Sequence, residues 1–200
     1  FYHFMHQNRL FDLETRENKA RAGYCSYLPL FKSPFIFTNF NGTSDDIRIF
    51  SHEAGHAFQL YSSRNIELVD YHYPTYEVCE IHSLAMELFV WRDLEIIFHE
   101  DINKYQYEHL LEKIDWLVYC VAIDEFQHFV YENPEVTPLE RKNEWRKIEN
   151  EYLPFRNFKS NDFLEKGGYW QQQTLIYKTP FYFIDYALAQ ICAFQLFKEA

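Results

Sequence analysis

The pattern of apolar and polar positions predicts a mostly helical chain with a small sheet near its start. Residues 1–20 mix apolar and charged positions in a way that predicts a helix, which Gly23 interrupts. Ser33–Phe40 is aromatic and β-branched, which is typical of a strand, and Asn41-Gly42 then predicts a turn. We therefore expect a small sheet near residues 22–40, followed by helices.

The first long helix begins directly after this turn. Thr43 or Ser44 can cap its N-terminus, and Asp45 and Asp46 favour the positive end of the helix dipole. Apolar residues then recur at helical spacing, namely Ile47, Phe50, Ala54, Ala57 and Phe58. This periodicity predicts a helix with one buried face.

The remaining pattern is also helical. Helices are expected from Thr75 to about His99, over 105–132, over 137–152, and from near Pro180 to the end, with loops at 62–74 and 154–168. The fold class predicted is therefore mainly α with a small β-sheet (α+β).

Composition limits the classes of partner and compartment. A net charge of −11 with no run of Lys or Arg excludes a nucleic-acid partner and disfavours anionic membranes. The four cysteines are widely spaced without a CxxC pair, which favours free thiols in a reducing compartment and hence a cytoplasmic location. No apolar run has transmembrane length. With 48% apolar residues, a chain of 200 residues can bury one large core.

The pentapeptide His52-Glu-Ala-Gly-His56 lies within the first long helix. Histidines four residues apart project from one helix face and can bind one Zn²⁺ through two tetrahedral positions. Glu53 stands beside the metal as a candidate general base for a zinc-bound water. The sequence thus predicts a zinc-dependent hydrolase site.

A third protein ligand is required, and the next helix offers Glu77, Glu80 and Glu87. Spacing alone does not choose among them. We favour Glu80, because Glu87 then lies two turns further on, where it can accept a hydrogen bond from a ligand histidine or be a core-edge carboxylate. His82 points away from the Glu80 face and is a weak candidate.

Several ordered blocks resemble the thimet-oligopeptidase family, and most of all its oligoendopeptidase F branch. They are Phe40-Asn-Gly-Thr-Ser44, His52 to Gln59, Glu80-Ile-His-Ser83 with Met86-Glu87, Ala22-Gly-Tyr-Cys25, Gly167-Gly-Tyr-Trp-Gln171, and Pro180 to Gln190. Together they cover most of the chain from about residue 10. The likeness is therefore far more specific than the pentapeptide alone.

This resemblance implies a zincin-like catalytic core with one zinc ion per chain. His52, His56 and Glu80 would be the zinc ligands and Glu53 the base. Ser33–Phe40 and Phe40-Asn41-Gly42 would form an edge with which a peptide substrate pairs. Tyr186 would donate a hydrogen bond to the oxyanion, and Tyr177 or Tyr182 would assist.

The resemblance also implies an activity and a larger setting. We expect a metalloendopeptidase that cleaves internal bonds of short oligopeptides, with residues 1–200 as a single catalytic-core region of a longer peptidase. Leu175 stands where relatives often have a histidine, so one donor to the substrate would be missing. This motivates an alternative, a zinc-containing peptide-binding protein with weak or no catalytic activity. A purely structural zinc would need a fourth protein ligand, and the sequence offers none.

Overall fold

The computed structural model describes all 200 residues and contains nine α-helices and three β-strands. The helices are α1 (Tyr2–Gln7), α2 (Ser44–Ser63), α3 (Tyr76–Phe89), α4 (Glu95–Phe98), α5 (Ile102–Glu132), α6 (Pro138–Tyr152), α7 (Asp162–Glu165), α8 (Leu175–Lys178) and α9 (Phe183–Glu199). The strands are β1 (Phe11–Glu14), β2 (Tyr24–Leu28) and β3 (Ser33–Phe40). The predicted class, mainly α with a small sheet, is confirmed.

The sheet has the strand order β1-β3-β2, so β3 lies in its centre. β1 runs parallel to β3, whereas β2 runs antiparallel and forms a hairpin with it. The short turn Pro29–Phe31 closes this hairpin, and Lys32 follows it in the left-handed region with a φ of 45°. The prediction of an edge strand at Ser33–Phe40 is therefore wrong, because β1 and β2 occupy both of its sides.

The helix predicted over residues 1–20 is also wrong beyond Gln7. Arg9 adopts a φ of 52°, which ends the helical path, and β1 follows. Lys19 then fastens the segment after β1, since its ammonium donates to the Asp12 carboxylate and to the carbonyl of Thr38 in β3. A four-residue strand is too short to show a clear period in the sequence.

The chain divides into two compact units, and the division falls within α5 and within α9. The first unit comprises Phe1–Tyr107 with Ala189–Ala200, and the second comprises Glu108–Leu188. In the first unit, apolar residues of the sheet, α1 and α2 form one buried cluster around Met5, Ile36 and Ala57. A second cluster joins α3 to the end of α9. These clusters hold α2 and α3 in place.

The second unit is built around an aromatic core. Phe126, Trp145, Trp170 and Phe183 are its largest buried side chains. The capping box of α6, in which Thr137 and Glu140 bond to each other's backbone, fixes the start of that helix as its sequence predicts.

Two predicted helix boundaries differ from the structure. The helix expected to run to about His99 ends at Phe89 and is followed by short helical turns, with His99 at a φ of 48°. The last helix begins at Phe183, because Phe181 has a φ of 64°. No helix is both long enough and apolar enough to cross a membrane.

Candidate metal centre

Helices α2 and α3 bring three candidate ligands together in the first unit. His52 and His56 lie one turn apart on α2, and Glu80 lies on α3. One ligand atom from each residue can be chosen so that all three lie within 4.8 Å of one another. Of the three glutamates that the spacing leaves open, Glu80 is the one that joins both imidazoles. Glu77 lies outside this group.

The distances within this group suit a tetrahedral zinc ion. Glu80 Oε2 lies 3.3 Å from His52 Nε2 and 3.6 Å from His56 Nε2. Zinc bonds of about 2.0–2.1 Å at tetrahedral angles separate neighbouring ligand atoms by about 3.3 Å. The two imidazole rings lie 4.9 Å apart, centroid to centroid, and their planes cross at 83°. Three protein ligands would leave the fourth position for water or substrate.

Other α3 side chains orient this ligand set. Glu87 Oε1 lies 2.7 Å from His52 Nδ1, so the imidazole is held with Nε2 directed at Glu80. Ser83 donates from Oγ to Glu80 Oε2 at 2.9 Å. A carboxylate on the far nitrogen of a ligand histidine fixes its tautomer and increases its basicity. Glu87 therefore takes the position that the sequence predicts for it.

The two histidines of this group differ in pKa. Burial lowers the pKa of His52, but its hydrogen bonds with Glu80 and Glu87 outweigh burial and raise that pKa to about 10. Burial and the neighbouring His52 lower the pKa of His56 to about 4. His52 therefore carries a proton between the carboxylates of Glu80 and Glu87, whereas His56 is neutral. A divalent cation can replace that proton, with both imidazoles neutral.

Glu53 projects from the same helix but is not in the ligand set. It is 6% exposed, and burial raises the pKa of its carboxyl to about 7, with the nearby His52 lowering it and Glu80 raising it. A carboxyl that titrates near neutrality can both accept and return a proton. These properties match those of the predicted base.

Gly55 is a residue whose importance the sequence analysis missed. A Cβ atom at this position would lie 2.5 Å from the carbonyl oxygen of His82 and 2.6 Å from the Cα of Ser83. Only glycine therefore allows α2 and α3 to approach this closely. A signal was present, because a glycine inside a helix costs stability unless close packing requires it.

The strand β2, rather than β3, lies at an edge of the sheet, and Glu53 and Tyr73 already accept backbone hydrogen bonds from its Cys25 and Tyr27. A Cβ atom on Gly23, just before β2, would lie 3.7 Å from Glu53 Oε1. The turn after β3 is also bonded: Asp46 accepts from the amides of Asn41 and Gly42, and the carbonyl of Phe40 accepts from Thr15. Thr43 is the N-cap residue of α2, as predicted, but its side chain makes no capping hydrogen bond. These main-chain groups have little capacity left for a substrate.

The three predicted tyrosines belong to the second unit. Tyr186 lies in the first turn of α9, and its ring contacts those of Trp116 and Tyr182. Tyr177 is 59% exposed on α8, and Leu175 packs on the aromatic core. Tyr186 and Tyr182 as donors and Tyr177 as a substrate contact stay predictions.

Comparison with known proteins places the chain in a defined group. The model of peptidase family M3 matches residues 2–200. Among solved structures, PZ peptidase A with an inhibitor is 54% identical over the whole chain, with a TM-score of 0.95. A provisionally assigned oligoendopeptidase F is 53% identical, also with a TM-score of 0.95, and another from Bacillus anthracis str. Ames is 49% identical with a TM-score of 0.84. The chain spans 35%, 35% and 32% of these structures. No curated protein matches it.

Proposed function

Because the chain belongs to peptidase family M3, we propose that it is the catalytic core of a zinc-dependent metalloendopeptidase that hydrolyses internal bonds of short oligopeptides. The observation that carries this proposal is the meeting of His52, His56 and Glu80 within 4.8 Å, beside the buried Glu53. A buried group of two imidazoles and a carboxylate fits zinc.

His52, His56 and Glu80 would hold the ion, with Glu87 orienting His52. Bound zinc supplies acidification of water and polarisation of the scissile carbonyl. Glu53 takes the proton from the attacking water and later delivers it to the leaving amine. A pKa near neutrality suits both transfers, because the carboxylate form accepts and the acid form donates.

The substrate backbone would pair with the outer edge of β2, displacing the backbone hydrogen bonds that Glu53 and Tyr73 accept from Cys25 and Tyr27. This strand has a neighbour only on its β3 side, and its start lies close to Glu53. Main-chain hydrogen bonds hold an extended peptide without reading each side chain, so we expect broad sequence tolerance. The donor role of Tyr186 remains a separate prediction, tested by Tyr186→Phe, whose turnover should fall by about 10²–10³ if the phenol stabilises the oxyanion.

Cleavage of a quenched fluorescent peptide by the intact protein tests the proposal. We expect turnover that a chelator abolishes and that zinc restores. Glu53→Gln should bind zinc in the same amount yet lose about 10²–10⁴ in turnover, because only the proton transfer is removed. Glu67→Gln, at an exposed position, is the matched control and should retain full activity.

Two results would reject this function. Cleavage that resists the chelator would exclude the metal, and full activity in Glu53→Gln would exclude the base. Tight peptide binding with zinc and no turnover would instead identify a peptide-binding protein.

A further inference from the structure

The second unit contains a cavity of about 170 Å³. Phe126, Trp170, Ile176 and Tyr177 form apolar walls, and Gln127 and Arg141 add polar groups. Neither Glu53 nor any of the candidate zinc ligands lines this cavity.

The walls of this pocket are fixed by contacts within the second unit. The Trp170 ring lies 5.0 Å from the Phe126 ring and 6.1 Å from the Tyr177 ring, centroid to centroid. The Gln127 side-chain oxygen accepts from the amide of Phe181 at 2.8 Å. A pocket whose walls are already ordered loses little entropy when a ligand enters.

Arg141 gives the pocket a cation that lacks a carboxylate partner. Its Nε and Nη2 donate to the carbonyl of Val136 at 3.3 and 3.0 Å, and the guanidinium forms no ion pair. Other arginines of this unit differ, since Arg146 and Arg156 both reach Glu149. In a chain with a net charge of −11, a half-buried arginine without an acid is a ready site for an anion.

We propose that this pocket binds an aromatic carboxylate, with the ring packed against the aromatic walls and the carboxylate on Arg141. A cavity of roughly 150 Å³ holds a benzene ring, so the space suits one ring and not a longer chain. Guanidinium and carboxylate form charge-assisted, often paired hydrogen bonds. A free aromatic amino acid and the C-terminal aromatic residue of a peptide share this chemistry.

Calorimetric titration of the intact, metal-free protein tests this inference independently of zinc and of peptide cleavage. The probes are N-acetyl-L-phenylalanine and its amide, which keeps the ring but lacks the carboxylate. We expect saturable one-to-one binding of the acid and at least about tenfold weaker binding of the amide, which is the effect of losing one charged hydrogen bond.

Three variants locate the site. Arg141→Gln should weaken the acid about tenfold and leave the amide unchanged, and Ile176→Trp should fill the cavity and remove binding of both. Lys159→Gln, which removes an exposed charge in the same unit, should change neither. If Arg141→Gln does not fold, Arg141→Lys should weaken the acid by losing the paired geometry alone.

A short peptide ending in phenylalanine, compared with its C-terminally amidated form, separates the two ligand sources. Binding of the peptide acid identifies a C-terminal residue as ligand, and binding of only the free acid identifies a small metabolite. No saturable binding of any acid probe would overturn the proposal. Acid binding that both Arg141→Gln and Ile176→Trp leave intact would also overturn it.

Discussion

Glu53 in the first unit and Glu149 in the second are both buried glutamates on helices, yet their surroundings differ. Glu149 has no exposed area and lies 3.1 Å from Arg146 and 3.4 Å from Arg156. Glu53 is 6% exposed and has no arginine partner, and burial raises its carboxyl pKa to about 7 although the neighbouring His52 lowers it. The second unit pairs its buried carboxylate with two arginines, whereas the first unit holds a buried carboxyl whose pKa is about 7.

This difference separates structural from reactive acids. Burial also raises the pKa of Glu149, and Arg146 and Arg156 offset only part of that rise. A carboxylate held between two guanidiniums has no freedom to exchange protons during a reaction. A carboxyl beside the candidate metal centre and without a pair of guanidiniums can do so, at some cost in stability.

The largest expected effect on stability comes from Glu149→Ala. It leaves Arg146 and Arg156 without their shared buried acceptor, so the free energy of unfolding should fall by about 3–4 kcal/mol. Glu144→Ala on the same helix removes only the surface pair with Lys147 and should cost less than about 1 kcal/mol. Denaturant unfolding measures both, and equal losses would show that burial of the pair is unimportant.

Gly55→Ala should be next, because its Cβ would meet the α3 backbone at 2.5 Å. We expect a loss of about 2–3 kcal/mol together with weaker zinc binding, since α3 carries Glu80. Gly167→Ala is the matched variant in the second unit, where a Cβ would lie 1.9 Å from the Lys142 carbonyl. It should lower the unfolding temperature without changing zinc affinity per folded molecule. Unchanged zinc affinity in Gly55→Ala would contradict this account.

Glu87→Gln should weaken zinc binding by about 10–100-fold, because His52 loses the carboxylate that orients it and increases its basicity. Competition with a chromophoric chelator measures this affinity. Glu77→Gln, at a glutamate on the same helix outside the ligand group, should bind zinc normally. Equal zinc affinities for the two variants would show that Glu87 does not support the zinc ligands.

The smallest effect concerns pH and the metal-free protein. The folded pKa of Glu53, about 7, exceeds its ordinary value of 4.5, so its stabilising contribution is complete below pH 4.5 and is lost as the pH rises through 7. Glu53→Gln cannot ionise. Between pH 5 and pH 8, the free energy of unfolding of this variant should therefore rise by about 1–2 kcal/mol relative to that of the parent protein. If the difference in unfolding free energy between the variant and the parent does not change with pH, Glu53 does not have a raised pKa.

The sequence predicts local features of this fold well and the strand order poorly. The start of α6 follows from Thr137 and Glu140, which bond within one turn. The central position of β3 depends on β1, whose Phe11 pairs with Ile36 across the intervening chain. Four residues carry too little periodicity to identify such a strand, and parallel pairing between distant segments leaves no local signal.

The same division applies to the candidate site. His52 and His56 follow from helical spacing alone, because residues four apart share a face. The choice of Glu80 over Glu77 needs the packing of α3 on α2, which Gly55 permits. The position of β2 at the edge of the sheet could not be inferred without the strand order.

Anomalous diffraction at the zinc absorption edge, from crystals of the intact protein, tests the central claim most directly. The account predicts one strong peak per chain, about 2.0–2.1 Å from a ring nitrogen of His52 and of His56 and from the Glu80 carboxylate. An active protein with no peak at this position, or with a zinc ion held by other residues, would contradict it.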